Sequence, residues 1–257
     1  MRFKLELSVI KEAYGNILPI NYQYEMSAVI YKILAQADMK YATWLHKNGF
    51  IRDKKLFKLF TFSGLNIPRR SIDKENERII IQCNTVYWQI SFSPEASTDK
   101  FIQGLFMNRS IELGDSKSKV LFNVVNIEME NEPDLSQTLQ FEALSPICIS
   151  IGTERRIDKY LSPSDENAGE YIITSLINRY EAFYNKEYTG NRSYFFNVLD
   201  TPKPKLIKIK ADTPQQTKIK GYLCKFQLKA DENLMRLMYS SGVGVKGSLG
   251  FGMVKVI

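Results

Sequence analysis

The stretch GVGVKGSLGFGMVKVI, residues 242–257, ends the chain and carries glycines at positions 242, 244, 247, 250 and 252. Glycine loses more backbone entropy on folding than any other residue, so such a dense run needs a physical reason. A positive φ angle is one reason, and close approach of the backbone to a ligand is another. Backbone N–H groups in such a loop can cradle phosphate oxygens. The stretch therefore predicts a glycine-rich loop that contacts phosphate and leads into a short apolar strand.

The spacing Gly242-x-Gly244-x-x-Gly247 also matches the dinucleotide fingerprint G-x-G-x-x-G. That fingerprint must follow a strand and open a helix. Here the order is reversed, because residues 231–241 have the pattern of a helix and residues 250–257 have the pattern of a strand. We therefore reject a nucleotide cofactor, expect no cofactor at all, and expect RNA to supply the phosphates.

Length and composition indicate a globular protein with one large domain or two of ordinary size, since the chain has 257 residues and is 44% hydrophobic. No stretch approaches the length of a membrane span, and charges interrupt the apolar residues of the N-terminus, so we expect no signal peptide. Three scattered cysteines indicate reduced thiols in a cytoplasmic protein. A single histidine and the lack of a C-x-x-C motif argue against a metal site.

The positive charge is concentrated near the C-terminus. Net charge is +7, and residues 201–257 contain eleven Lys or Arg residues against three acidic ones. A basic surface of this kind is typical of a protein that binds a polyanion. A solvated lysine-rich face that only keeps the protein soluble explains the charge equally well.

The periodicity of the sequence predicts the same order of elements twice. In the first half we expect strands at 2–10, 55–63, 78–93, 110–113 and 120–128, with helices at 24–37, 39–47 and 94–107. In the second half we expect strands at 138–151, 206–210, 218–228 and at the C-terminus, with helices at 166–184 and 231–241. This order predicts an α+β fold of two tandem βαββαβ domains with antiparallel sheets. The polar stretch 130–137 separates them, which gives domains 1–130 and 131–257.

Three side chains are candidates for chemistry. His46 lies at the edge of the apolar stripe in the last turn of its predicted helix, where it can give or take a proton. Tyr31 lies on the flank of the preceding helix, and Lys58 lies among large apolar residues, where it could stabilise charge on a phosphorane. Ordinary structural roles remain open for both: Tyr31 as the edge of a groove, and Lys58 as a snorkelling residue of an edge strand.

Four segments together resemble a known family. They are the N-terminal strand and helix with Tyr31, the segment Trp44-Leu45-His46 followed by KLFTFS, the segment FEALSPICIS at 141–150, and the C-terminal GVGVKGSLGFGMVKV. The chain resembles, over its full length, the CRISPR-associated endoribonucleases of the RAMP superfamily that process precursor crRNA. The resemblance implies tandem ferredoxin-like (RRM-like) domains and RNA cleavage without metal. In that reaction the 2′-hydroxyl attacks the adjacent phosphate and leaves a 2′,3′-cyclic phosphate and a 5′-hydroxyl.

The resemblance also implies roles for particular residues. By position, His46 matches the family's general acid or base, Tyr31 its tyrosine and Lys58 its lysine, with Lys54 and Lys55 as alternatives for the last. Which of His46 and Tyr31 is the acid stays open. For RNA binding the family uses the glycine-rich loop and a basic face, which here correspond to Lys205, Lys208, Lys210, Lys218, Lys220, Arg236, Gly242, Gly244, Lys246, Gly247 and Gly250.

The expected partner is CRISPR repeat RNA in precursor crRNA, with no membrane and with a monomer or homodimer as the oligomeric state. Association with other CRISPR effector subunits stays open. Two rival functions remain. One is a non-catalytic RAMP-type subunit that binds crRNA in an effector complex. The other is a general RNA-binding module, which only the charge and the fold class support.

Overall fold

The computed structural model describes residues 1–152 and 158–257, and at Asp158 it describes the backbone but not the side chain. The elements of the N-terminal half are β1 (Arg2–Ile10), α1 (Lys11–Tyr14), β2 (Ile17–Pro19), α2 (Gln23–Ala37), α3 (Met39–Lys47), β3 (Phe50–Arg52), β4 (Lys55–Phe57), β5 (Phe60–Phe62), β6 (Arg70–Asp73), β7 (Arg78–Ile81), β8 (Thr85–Phe92), α4 (Glu95–Met107), β9 (Ser110–Gly114) and β10 (Lys119–Glu130).

The main sheet of the N-terminal half has the strand order β5-β8-β1-β10-β9 and is antiparallel. In β1, alternate residues point into the core, because successive side chains of a strand leave on opposite faces. Phe3, Leu5, Leu7 and Val9 are buried together with the apolar stripes of α2 and α4. The sequence order strand, helix, strand, strand, helix, strand with this spatial order is that of a ferredoxin-like βαββαβ domain.

The elements of the C-terminal half are β11 (Leu139–Ala143), β12 (Ile149–Gly152), β13 (Asp158–Leu161), α5 (Ala168–Tyr184), β14 (Phe195–Val198), β15 (Lys203–Ile209), β16 (Thr217–Leu223), β17 (Lys225–Lys229), α6 (Glu232–Ser241), a 3₁₀ turn (Gly247–Leu249) and β18 (Val254–Val256). The sheet order β14-β17-β11-β18 repeats the order of the first domain, with α5 and α6 in the places of α2 and α4. The expected tandem of ferredoxin-like units with antiparallel sheets is therefore confirmed.

Each half has its own hydrophobic core. The core residues of the first half lie between Phe3 and Ile127, and those of the second lie between Leu135 and Val256. We propose residues 1–130 and 131–257 as the two domains, and the separation of the two cores supports this division. Of the helices that the structure describes, none is long and apolar enough to cross a membrane.

Several predicted strands are interrupted in the structure. The predicted strand 55–63 divides into β4 and β5, because Leu59 has a φ of 54° and turns the chain. The predicted strand 78–93 divides into β7 and β8, which lie in different sheets. The predicted strand 218–228 likewise divides at Cys224 into β16 and β17. These breaks matter because one of them places Lys58 in a loop rather than in a strand.

A side chain near the N-terminus joins the two halves. Arg2 is buried, and its Nη1 and Nη2 donate hydrogen bonds to the carbonyl oxygens of Val254 (2.7 Å) and Tyr239 (3.0 Å). The guanidinium also lies 3.8 Å from the centre of the Tyr239 ring. The first strand of one domain is thereby fixed to the last helix and last strand of the other.

Candidate active site

Tyr31 and His46 meet at the corner between α2 and α3. Tyr31 is half-buried on α2, His46 is exposed in the last turn of α3, and their rings pack edge to face with centroids 4.9 Å apart. Asp38 fixes this corner. It caps α3 by accepting a hydrogen bond from the Tyr41 N–H (2.9 Å), and it forms an ion pair with Lys100 (2.8 Å). The two helices thus hold the imidazole and the phenol side by side.

Lys58 reaches the same place from the loop between β4 and β5. Its Nζ donates a hydrogen bond to the backbone carbonyl oxygen of His46 at 2.8 Å. Gly49 makes room for this approach, because a Cβ at that position would lie 2.5 Å from the Phe57 carbonyl oxygen and 3.1 Å from Lys58 Cδ. The structure therefore brings together the three residues that the sequence singled out, from positions 31, 46 and 58.

Burial changes the proton affinity of two members of this cluster. It raises the pKa of Tyr31 well above its usual value, because the phenolate would lose hydration beside the rings of His46 and Phe60. It lowers the pKa of Lys58, because a partly buried ammonium is less well solvated. The Tyr31 hydroxyl consequently keeps its proton at neutral pH.

A cleft of about 570 Å³ opens between the two halves, and Lys58 is the member of the cluster that lines it. Its walls are the β4–β5 segment, α5 and the glycine-rich loop (residues 242–252). Among the described residues that line it, four are basic and none is acidic: Lys55, Lys58, Arg179 and Lys246. Walls that carry charge of one sign focus the potential, so the cleft attracts an anionic ligand.

The glycine-rich loop packs chiefly against protein atoms. At Gly250, which has a φ of 80°, a Cβ would lie 2.6 Å from the Phe62 ring, and at Gly244 a side chain would collide with the Cys148 carbonyl oxygen. Gly242, Gly244 and Gly250 are buried, and Gly244 and Gly247 are among the residues that line the cleft. The loop is fastened to β5 by Thr61, whose hydroxyl donates to the Phe251 carbonyl oxygen at 2.8 Å. Sequence analysis expected this backbone to approach phosphate, whereas Gly247 and Gly250 approach β5 of the other domain.

The predicted lysine face is found only in part. Lys218 and Lys220 are exposed on the β15–β16 hairpin, where Lys208 lies directly opposite Lys218. Although they are two residues apart, Lys208 and Lys210 do not share one side of a strand, because β15 ends at Ile209. Lys210 has a φ of 51° and lies over the ring of Tyr24.

The remaining predicted basic residues lie in other surroundings. Lys208 forms an ion pair with Glu77 (2.5 Å), and Arg236 pairs with Glu232 (2.8 Å) and with Glu132. Lys205 is exposed opposite Gly221 in the register of the hairpin, and Lys246 lines the cleft. Lys208 and Arg236 are thus paired with acids, and Lys246 is the predicted RNA-binding cation that lines the same cleft as Lys58.

Sequence analysis missed Arg179. This arginine of α5 is 6% exposed and lines the cleft. A signal was available, since residues 172, 176 and 179 have the i, i+4, i+7 spacing of a buried helix face, and an arginine at such a position is unusual.

Comparisons with known proteins agree with this geometry. The family model "CRISPR-associated protein Cas6, N-terminal" matches residues 17–126, and the model "CRISPR associated protein Cas6, C-terminal" matches residues 129–256. The CRISPR-associated endoribonuclease Cas6 1 of Methanocaldococcus jannaschii is 31% identical, over 99% of this chain and 92% of the relative. The CRISPR-associated endoribonuclease Cas6 of Pyrococcus furiosus is 27% identical, over 100% of this chain and 90% of the relative.

A solved structure described as "An RAMP protein binding different RNA substrates" has a TM-score of 0.82 with this chain at 26% identity, and the match covers 100% of this chain and 99% of that one. The chain has two ferredoxin-like domains around a cleft lined by cations, and it is similar to a solved RAMP protein. These features define a protein of the RAMP superfamily. Within that superfamily the chain belongs to the CRISPR-associated Cas6 family.

Proposed function

We propose that this chain cleaves CRISPR repeat RNA in precursor crRNA, by attack of a 2′-hydroxyl on the adjacent phosphate and without a metal ion. Two contacts carry the proposal. Lys58 donates a hydrogen bond to the backbone of His46, and the Tyr31 ring packs against the imidazole. That the chain is an endoribonuclease follows from its family, in which the M. jannaschii and P. furiosus relatives carry that name.

The reaction needs two proton transfers and one centre of positive charge. As the 2′-oxygen loses its proton it bonds to phosphorus, and as the bond from phosphorus to the 5′-oxygen breaks, that oxygen gains a proton. The products are a 2′,3′-cyclic phosphate and a 5′-hydroxyl. Proton transfer by a positioned side chain contributes about 10²–10⁴-fold to rate.

The environments of the three residues support distinct roles. His46 is exposed at the end of α3, and histidine both gives and takes protons near neutral pH, so we assign it the main proton transfer. The raised pKa of Tyr31 disfavours the phenolate, so this hydroxyl donates a hydrogen bond that orients the ribose or phosphate. The Lys58 ammonium faces the developing charge of the phosphorane, and its bond to the His46 carbonyl fits it better for this role than Lys54 or Lys55.

The test is a cleavage assay with the repeat RNA of the host in EDTA. We expect cleavage at a fixed position and product ends that carry a cyclic phosphate and a 5′-hydroxyl. An RNA with a 2′-deoxyribose at the cleavage position should bind and stay intact. Cleavage that stops in EDTA, or that proceeds on the 2′-deoxy RNA, would contradict the mechanism. We expect the reaction to take place in the cytoplasm, where precursor transcripts are made.

A second candidate is a non-catalytic RAMP-type subunit that binds crRNA within an effector complex. The similarity to the solved structure described as an RAMP protein that binds different RNA substrates favours it. The same assay separates the two, since a subunit of this kind would bind repeat RNA without cutting it. The contact of Tyr31, His46 and Lys58 favours the enzyme, because a protein that only binds has no need of an imidazole so placed.

A further inference from the structure

Arg179 lies on α5 with its guanidinium between two helices. Nη1 donates hydrogen bonds to the Ser241 carbonyl oxygen (3.2 Å), the Ser241 hydroxyl (2.8 Å) and the Gly242 carbonyl oxygen (2.8 Å), and Nε donates to the Ser175 carbonyl oxygen (3.3 Å). Because Ser241 and Gly242 are the end of α6 and the start of the glycine-rich loop, Arg179 fixes both to α5.

Among the described residues, no carboxylate forms an ion pair with this guanidinium. Arg179 is 6% exposed, all its acceptors are neutral, and its Nη2 has no hydrogen-bond partner among the described residues. Burial lowers the pKa of Arg179 to about 10, so the group still carries its proton at neutral pH. A buried cation without a counter-charge is costly, and proteins usually pair one with a carboxylate or keep it for an anionic ligand.

The surroundings favour a ligand as the missing partner. Arg179 lines the same cleft as Lys58 and Lys246, and the described lining residues include no acid that could neutralise it. Guanidinium groups suit phosphate because their planar fork can donate two parallel hydrogen bonds to it.

We propose that Arg179 forms a phosphate-binding subsite, in which its Nη2 holds one backbone phosphate of RNA in the cleft while its Nη1 holds the glycine-rich loop. This inference rests on the proposed function, since it takes RNA as the occupant. Nη2 is buried in the absence of RNA, so binding requires a small rearrangement of the cleft wall, of the kind that side chains at interfaces commonly undergo. Lys58 lines the same cleft, so the phosphate held by Arg179 belongs to a nucleotide close to the cleavage position.

The experiment compares Arg179→Gln and Arg179→Lys with the wild-type protein, using repeat RNA with a 2′-deoxyribose at the cleavage position. The dissociation constant is measured across a series of salt concentrations, after thermal melting has shown that each variant is folded. Because one phosphate is then no longer neutralised, the slope of log K against log salt should become shallower by about 0.7 in Arg179→Gln. Arg179→Lys keeps the positive charge but lacks the planar guanidinium that can donate two parallel hydrogen bonds. It should keep the slope of log K against log salt and bind RNA roughly tenfold more weakly.

Two controls separate the ligand role from the structural one. Ser241→Ala removes one acceptor of Nη1 and leaves the charge, so it should affect stability but not the slope. Arg109→Gln removes an exposed arginine outside the cleft and should affect neither. A folded Arg179→Gln that keeps the wild-type affinity and slope would overturn the proposal. If that variant does not fold, wild-type affinity in Arg179→Lys would overturn it.

The outcome is independent of cleavage, because the RNA cannot be cut. If the wild-type protein fails to cleave ordinary repeat RNA but Arg179→Gln still flattens the salt dependence, the subsite stands and the catalytic proposal fails. If cleavage proceeds and the slope does not change, the catalytic proposal stands and the subsite fails.

Discussion

The Lys58 ammonium donates a hydrogen bond to the carbonyl oxygen of His46 at 2.8 Å. This carbonyl is one of the last in α3, where backbone acceptors have no partner within the helix. Lys58 therefore satisfies the end of the helix that presents the imidazole, and in return its own position is fixed. The Lys58 cation is thus fixed to the backbone of the residue that carries the imidazole.

Replacing His46 with alanine should abolish most of the cleavage and leave binding nearly unchanged. We expect single-turnover cleavage of repeat RNA to fall by about 10²–10⁴-fold, the usual contribution of general acid–base catalysis. The control is Lys40→Ala, which alters an exposed residue on the same helix. Wild-type cleavage by the His46 variant would remove the imidazole from the mechanism.

Tyr31→Phe tests the hydroxyl and keeps the ring that packs on His46 and Phe60. If the hydroxyl orients the substrate, the cleavage rate should fall by about 10-fold or more without loss of thermal stability. Tyr41→Phe is the matched control, since it removes a hydroxyl that bonds Ser97. Equal rates for the two variants would make Tyr31 a packing residue only.

The pH dependence of cleavage should reveal Lys58. Burial lowers the pKa of Lys58, and the ammonium is charged only below that pKa. If Lys58 stabilises the phosphorane, that stabilisation is lost as pH rises through the lowered pKa. Lys58→Ala should cleave slowly at every pH. Lys58→Arg, which stays charged, should lack the alkaline fall of the wild-type profile after the enzyme-free rate is subtracted.

Variants of the neighbouring lysines complete that test. Lys54→Ala and Lys55→Ala should keep the wild-type pH profile, because the described structure gives neither an interaction with His46. A Lys55→Ala profile like that of Lys58→Ala would transfer the role to the earlier lysine.

The β15–β16 hairpin should contribute nonspecific affinity for RNA. Lys218 and Lys220 are exposed on one face of it, so reversing both to glutamate should weaken binding to many sequences alike. The salt slope should become shallower by about 0.7 for each phosphate that the hairpin no longer neutralises. Lys11→Glu, an exposed lysine of the N-terminal domain, is the control. Unchanged affinity and slope in a filter-binding titration would exclude the hairpin from the RNA interface.

Gly250→Ala should destabilise the protein by about 2 kcal/mol, because a Cβ would press on the Phe62 ring at a residue with a φ of 80°. Thermal melting measures the effect. Gly152→Ala is the matched control, since among the described residues no atom outside its own chain neighbours lies within 4 Å of a methyl group there. Equal melting temperatures for the two variants would show that the glycine-rich loop does not depend on this contact.

Local sequence patterns were sufficient to predict the repeated fold. Hydrophobic periodicity predicted the start of α2 to within one residue and predicted both ends of α3 correctly. Asp231 caps the N-terminus of α6 as expected. The breaks at Leu59 and Cys224 escaped prediction, because left-handed or irregular backbone at an ordinary residue is imposed by tertiary packing rather than by residue type.

The sequence by itself determined the two βαββαβ units, the concentration of positive charge near the C-terminus, and the identity of Tyr31, His46 and Lys58 as candidates. The two units and the charge depend on local sequence patterns, and the three candidates depend on side-chain chemistry together with the resemblance to a known family. Only the tertiary structure decided that Gly247 and Gly250 pack against β5, that Lys208 and Arg236 are paired with acids, and that Arg179 lines the cleft. Those relationships join residues far apart in the chain, and sequence spacing carries no information about which distant surfaces meet.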